Sequence, residues 1–301
     1  MKKKQSRAKS TPKYLLFSII FLLVILGSLT LVLSNYRRTK IITSKSNLIV
    51  SQEVEDYLKE STVSPKLKGP QSLRVPMLLY HYVEYVKDKG DTIRQSLDIV
   101  PSLFDAQVTT LQAAGYTFIT PSDLSQIMEG QMQVPTKPIM LTFDDGYRDF
   151  YTDVLPIIQK HNVRVVAYIV TGFLDKPNNL TRGQLREIAA SGLVEIGAHT
   201  VDHSSLGILN LKRVEFEVLE SKTELEKILG VPITAFAYPN GSFDVVSIQV
   251  VRDAGFKTAV TTVPGINVTQ QNLYILPRLR AGGRTGQALL KYLEQNVFQA
   301  F

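Results

Sequence analysis

From Val75 onward the chain alternates short apolar, β-branched runs with segments of helical periodicity. Residues 77–80, 138–143, 163–169, 194–198, 234–237, 258–261 and 274–279 read as strands. Residues 102–114, 151–161, 181–191, 211–229, 245–254 and 286–298 read as helices. The punctuation agrees: Thr181 is placed to cap one helix, and Gly230 with Pro232 behind it ends another. Regular alternation of this kind demands parallel strands, because each crossover passes over a sheet face and its helix must cover that face. About seven such units predict an α/β fold, a distorted (β/α) barrel that is closed or nearly closed. In such a barrel the chemistry sits at the carboxyl ends of the strands.

The amino terminus is organised differently. No charged side chain occurs from Tyr14 to Tyr36, which is about the 20 residues that cross a bilayer. Six basic residues precede this run and none of the 27 acidic residues does. That bias favours a cytoplasmic amino terminus and an uncleaved signal anchor. The expected layout is a cytoplasmic basic segment at 1–13, a transmembrane anchor at 14–34, an extracytoplasmic stalk at 35–72 and a folded domain at 73–301. The stalk is polar, carries Pro65, Gly69 and Pro70, and has room for a short helix at 47–60. The expected location is the cell membrane, single-pass, with the domain outside, or secreted if the anchor is clipped.

Charge and cysteine content exclude whole classes of function. Ten basic residues precede the first acidic one, Glu53, leaving 24 basic against 27 acidic residues beyond it. The net charge of +7 therefore belongs to the amino terminus, and no nucleic-acid partner is expected. The absence of cysteine excludes disulfides, thiolate metal sites and a cysteine nucleophile.

Two segments carry chemistry-bearing side chains at strand ends. Thr142-Phe143-Asp144-Asp145-Gly146-Tyr147 places adjacent carboxylates after an apolar strand, with a glycine that permits a tight turn. Alone, Asp-Asp-Gly is more often a plain turn; the strand before it turns the reading towards function. His199-Thr200-Val201-Asp202-His203 follows the strand at 194–198 and holds two of the chain's four histidines. One carboxylate and two imidazoles make a three-ligand set with open positions, suited to Zn²⁺ and to other first-row divalent ions. The remaining carboxylate is then free to act as a base.

These paired motifs resemble the polysaccharide deacetylase (NodB-homology) family of carbohydrate esterases, over roughly residues 75–298. The resemblance implies Asp145, His199 and His203 as metal ligands and Asp144 as general base. It also implies cation-assisted hydrolysis of an N-acetyl amide, with the cation activating a water and polarising the acetyl carbonyl. In the later segment Phe236-Ala237-Tyr238-Pro239-Asn240-Gly241, the family's arginine position is Ala237. Asn240 aligns as the oxyanion donor. The family's tryptophan segment is reduced to Thr262-Val263-Pro264-Gly265, and no tryptophan occurs anywhere. The family's terminal histidine is absent; Leu276-Pro277-Arg278 offers Arg278, either as a substitute partner for Asp144 or as a surface ion pair.

A proton donor for the leaving amine must then come from His81 or His161. His161 lies between a helix and the next strand, at the wrong end of a barrel. His81 closes the first strand, and the first and last strands of a barrel are neighbours. Tyr80-His81-Tyr82 with Ala237-Tyr238-Pro239 is similar to poly-β-1,6-N-acetylglucosamine de-N-acetylases, and that likeness implies His81 as the catalytic acid. Tyr147, Tyr82, Tyr238 and Asn240 are candidates for lining a sugar groove. The expected function is metal-dependent de-N-acetylation of an N-acetylglucosamine polymer, β-1,6-linked. The alternatives are a peptidoglycan or chitin-oligomer deacetylase and a carbohydrate-binding pseudoenzyme. Nothing in the sequence sets the oligomeric state.

Overall fold

Mostly apolar and largely buried residues form the central strands of the computed structural model, which describes residues 51–60, 67–86, 88 and 90–295. The strands are β1 (Met77–Tyr80), β2 (Thr117–Phe118), β3 (Pro138–Phe143), β4 (Val165–Ile169), β5 (Val194–Ala198), β6 (Ala235–Ala237), β7 (Thr258–Pro264) and β8 (Leu276–Arg278). All pairings among them are parallel, and seven run in the order β8-β7-β6-β5-β4-β3-β1, with β2 beside β3 off that path. A parallel bridge between Leu78 and Leu279 brings the two ends of the path together. There Leu79 N–H donates to Leu279 O and Leu279 N–H to Met77 O, both at 2.8 Å. The architecture is the expected parallel α/β near-barrel.

The helices are α1 (Gln52–Glu60), α2 (Pro101–Ala113), α3 (Pro121–Glu129), α4 (Leu155–His161), α5 (Arg182–Ala190), α6 (Leu211–Leu229), α7 (Val245–Asp253) and α8 (Gly286–Gln295), with a further turn at Thr92–Leu97. Two apolar clusters divide the strands by parity. Leu78, Leu141, Phe143, Ala167, Ile196 and Phe236 face outward and share a cluster with Phe104, Leu185, Val218 and Ile248 of the helices. Met77, Met140, Val166, Tyr168, Ala237 and Leu276 face the interior. Period two is the geometry of a strand, and it decides below which side chains can meet.

Three features depart from the sequence reading. Helix α3 and strand β2 were not anticipated. The helix had its signals: Thr120 and Asp123 form a capping box, Pro121 opens the first turn, and Gly130 ends it in the left-handed region. Ile127 and Met128 of α3 join the inner cluster, while Asp123 pairs with Arg164 and Ser122 with Glu195 at the amino-terminal ends of β4 and β5. Thus α3 closes that mouth. The helix expected at 151–161 begins as a wider π-type turn, Phe150–Val154, before α4. Pro156 lacks an N–H and crowds the carbonyl four residues back, which disfavours a regular α-turn there.

The third departure is the stalk. Over its described residues it is part of the fold: Val54 and Leu58 of α1 are buried in the outer cluster, and the Tyr57 hydroxyl donates to Gln249 of α7. Ser72–Arg74 then pairs antiparallel with Asn267–Thr269. The segments expected at 1–13 and 14–34 lie outside the described residues. Among the described residues no helix is long and apolar enough to cross a membrane.

Gly197 of β5 faces the barrel interior, and a β-carbon there would lie 2.4 Å from a ring carbon of Tyr168. A packed interior has no slack for that atom. Gly197→Ala is expected to destabilise by about 1–3 kcal/mol, read as a lower urea midpoint with an unchanged m-value.

Candidate metal centre

Strand parity aims the critical side chains. In β3, Met140 and Thr142 face inward, so Asp144 at its end does too. By the same count Met77 and Leu79 lead to His81, Glu195 and Gly197 to His199, and Leu276 to Arg278. Four strand ends thus deliver polar groups into one mouth of the barrel, opposite α3. Asp145 breaks the alternation. It adopts φ +75°, followed by Gly146 at +72°, and this left-handed turn swings the second carboxylate beside the first.

Asp145, His199 and His203 converge. Asp145 Oδ1 lies 3.3 Å from His199 Nε2 and 3.2 Å from His203 Nε2, and the three ligand atoms all lie within 4.8 Å of one another. The rings stand edge to face at 5.0 Å. His199 Nδ1 is 2.7 Å from the Ala237 carbonyl oxygen. That bond assigns the proton to Nδ1 and leaves the Nε2 lone pair facing Asp145. Asp145 Oδ1 is buried yet receives no hydrogen bond of ordinary geometry. An acceptor-only oxygen facing two imidazole nitrogens is a donor set that a cation satisfies. The spacing fits too, because two ligand atoms each about 2.0–2.1 Å from a tetrahedral ion sit about 3.3 Å apart. Asp145 and His199 are sealed in, whereas the His203 side chain is 27% exposed, so the centre opens on one side.

Electrostatics favours positive charge here. Burial alone would raise the Asp145 carboxyl, but the two imidazoles beside it outweigh that and hold the group far below the usual carboxylate range. Burial likewise opposes a charged His199, yet Asp145, Asp144 and the Ala237 carbonyl raise it above the ordinary imidazole value.

Asp144 is held by Arg278. The guanidinium donates from Nη1 to Oδ1 and from Nη2 to Oδ2, each at 2.7 Å, and is itself fixed by the Thr261 carbonyl at 2.7 Å and Thr142 Oγ1 at 3.1 Å. Arg278 is only 2% exposed, so it is a buried partner of Asp144 and not a groove residue. It supplies from β8 the charge that Ala237 on β6 cannot. Burial pushes the Asp144 carboxyl up, but the charge and hydrogen bonds of Arg278 bring it below the ordinary value, ionised and oriented.

His81 lies next to Asp144 across the β1–β3 pair, where Asp144 N–H donates to Tyr80 O at 3.0 Å. Its Nδ1 is buried without a partner. Burial lowers its pKa, opposed by the charges of Asp144 and Asp145. His161 is remote from this mouth, bonded to Asp105 and Gln112 at the end of α4.

The groove candidates divide. Tyr147 stacks on Tyr82 with centroids 3.8 Å apart, and the Arg94 guanidinium lies 4.7 Å over Tyr82. Asn240 is exposed at φ +58°, its amide nitrogen donating to Ser205 Oγ at 3.0 Å. Tyr238 does not line a groove. Ala237 points inward, so the next residue points outward, and the fully buried Tyr238 ring packs on Phe236 and Phe243 under the helices.

Behind this mouth lie two buried carboxylates that the motifs do not reveal. Asp149 accepts the Val83 N–H at 2.6 Å and so ties the turn after Asp145 to the segment after His81. Burial raises its pKa to about 7. Glu217 of α6 accepts two amides of the 199–203 segment. Its signal was present: it falls in helical register with the apolar Val214 and Val218, on the face the helix buries.

Residues 131–259 match the family model for polysaccharide deacetylase. A Bacillus subtilis protein described as a polysaccharide deacetylase, YxkH, is 28% identical over 242 residues, 80% of this chain and 84% of that one. The poly-β-1,6-N-acetyl-D-glucosamine N-deacetylase of Staphylococcus aureus is 22% identical over 210 residues, 65% of this chain and 72% of that one. The solved structure of Streptococcus pyogenes deacetylase PplD with acetate superposes with a TM-score of 0.67 at 27% identity, covering 75% of this chain and 99% of that one. Residues 131–259 thus match the polysaccharide deacetylase family, and over most of its length the chain is similar to proteins named as deacetylases.

Proposed function

We propose that this protein is a divalent-metal-dependent de-N-acetylase of an N-acetylglucosamine polymer, a β-1,6-linked exopolysaccharide, acting at the outer cell surface behind an anchor at 14–34. The observation that carries the chemistry is the convergence of Asp145, His199 and His203 beside an Asp144 locked by Arg278. The choice of linkage is supported by the name of the Staphylococcus aureus relative and by the placement of His81 at the end of the first strand. The location is supported by the uncharged run at 14–36 and its basic flank.

A cation held by Asp145, His199 and His203, Zn²⁺ in this reading, supplies Lewis acidity towards the attacking water and the acetyl carbonyl. Asp144 is the general base. Its two oxygens stay ionised through Arg278, and it takes the proton as the water oxygen bonds to the acyl carbon. In this reading the backbone N–H of Asn240 stabilises the oxyanion. His81 donates a proton to the amine as the C–N bond breaks, releasing acetate. The stacked Tyr82 and Tyr147 offer a face for a sugar ring. Each turnover leaves a free amine that protonates, so the polymer gains positive charge and affinity for anionic surfaces.

Acetate release from β-1,6 and β-1,4 N-acetylglucosamine oligomers, with metal content measured on the same preparation, tests this reading. Faster release from the β-1,6 series is expected; equal or faster release from the β-1,4 series transfers the chain to a chitin- or peptidoglycan-directed role. Binding without release in the metal-loaded protein identifies a pseudoenzyme. Asp145→Ala is expected to lose both metal and turnover. Asp144→Asn should keep the metal and lose about 10²–10⁴-fold in kcat.

His81→Ala should reduce kcat by a similar 10²–10⁴-fold with unchanged metal content; unaltered turnover refutes its role as the acid. Arg278→Met removes the charge that holds Asp144 down, so the carboxyl rises. Because the base must be ionised, the acidic limb of the kcat/KM profile should move to higher pH, by about one to three units. Arg278→Lys, which retains the charge, should move it less.

A further inference from the structure

The segment that carries both imidazoles is gripped from below by a side chain with no place in the metal centre. Glu217 on α6 is 0% exposed. Its Oε2 accepts the N–H of Val201 at 2.8 Å and of Asp202 at 3.0 Å. Its Oε1 meets Nη2 of Arg213 at 2.7 Å, and the same nitrogen reaches Asp202 Oδ2 at 2.6 Å. The opposite edge of the segment is also occupied. Thr171 N–H donates to Thr200 O at 3.1 Å and Gly172 N–H to Val201 O at 2.9 Å. A β-carbon on Gly172 would lie 2.5 Å from that Val201 oxygen, so the two loops meet backbone to backbone.

This grip answers a conformational cost. Thr200 and His203 stand at φ +67° and +58°. Residues with side chains rarely adopt this region, and a β-branched threonine least of all. Such backbone persists only where the surroundings over-determine it. An ionised carboxylate is acceptor-only, with lone pairs for two successive amides and a charge that attracts a guanidinium. Nothing else on α6 offers that combination to Val201 and Asp202: the neighbouring buried positions are Val214, Val218 and Ser221, and the Ser221 hydroxyl donates to Val218 O.

We propose that Glu217 is a positioning residue of the metal centre, holding the 200–203 turn so that His203 reaches Asp145 before any cation arrives. It rests on the reading of Asp145, His199 and His203 as ligands. Groups that orient metal ligands typically contribute 10–100-fold to metal affinity. Glu217 does so through the backbone between the two histidines, with Arg213 fastening both carboxylates of the clasp.

The test is Zn²⁺ affinity of the full chain, measured by chelator competition, alongside thermal melting of the metal-free protein. Glu217→Ala should weaken zinc binding by about 10–100-fold. Glu217→Gln, which keeps a carbonyl acceptor for the two amides, should weaken it less. Leu225→Ala, a buried change on the same helix, should lower the melting temperature and leave zinc affinity unchanged. Zinc affinity in Glu217→Ala equal to the parent's, or an equal loss in Leu225→Ala, overturns the proposal. If Glu217→Ala does not fold, Glu217→Gln and Arg213→Ala decide it: reduced affinity in both supports the clasp, and parental affinity in both overturns it. A parent chain that binds no zinc instead overturns the ligand assignment, and this inference with it.

Discussion

A guanidinium sealed inside a barrel must be matched by a carboxylate, and the pairing of Arg278 with Asp144 is the interaction on which the site depends. It joins the last strand to the third across the interior, and so requires the closure seen between Leu78 and Leu279. Breaking one side of such a pair leaves an uncompensated buried charge, at a cost of about 3–5 kcal/mol. The same pair has a chemical consequence. It keeps a buried carboxylate ionised in a place where burial alone would neutralise it. Stability and reactivity here share one contact.

Around that pair the protein positions its polar side chains by backbone strain. Asp145, Thr200, His203 and Asn240 all have positive φ, and all four stand at the mouth where the strands end. None is glycine. Strain of this kind is tolerated where function needs a side chain and the neighbours hold the backbone. The holders are identifiable: Gly146 beside Asp145, Glu217 under the histidine segment, and Thr262 accommodating the Asn240 turn through its hydroxyl at 3.4 Å. The amino-terminal mouth, closed by α3, carries ion pairs and apolar contacts, and its own positive-φ residues, Lys137 and Asn162, lie just before β3 and β4.

The strand that supplies the charge beside Asp144 follows from topology. In a parallel barrel every strand end contributes to one mouth, so a charge absent from one strand can be supplied by another at similar depth. Ala237 on β6 and Arg278 on β8 illustrate this, since β7 alone separates their strands. A family pattern read linearly registers only a loss at Ala237. The folded chain shows a relocation, because the partner of Asp144 is defined by position in space and not by order along the chain.

Much of this was legible in residue order. Period-two burial and helical register are local properties, so the strand–helix alternation, the caps at Thr181 and Gly230, and the Asp-Asp and His-His motifs at strand ends could be read directly. Other features were not. Wholly buried parallel strands lack a polar face, so their residues do not announce which way they point; residue order alone suggests a groove for Tyr238, whereas in the fold it packs outward. Helix α1 looked like polar stalk because its apolar positions are few, and only the groove it fills makes Val54 and Leu58 core residues. The sequence by itself determined the residue types, the local elements and the ends at which chemistry sits. The tertiary structure alone decided that Arg278 meets Asp144 and that Glu217 meets Val201 and Asp202, because those contacts depend on closure and helix packing over separations that no local pattern encodes.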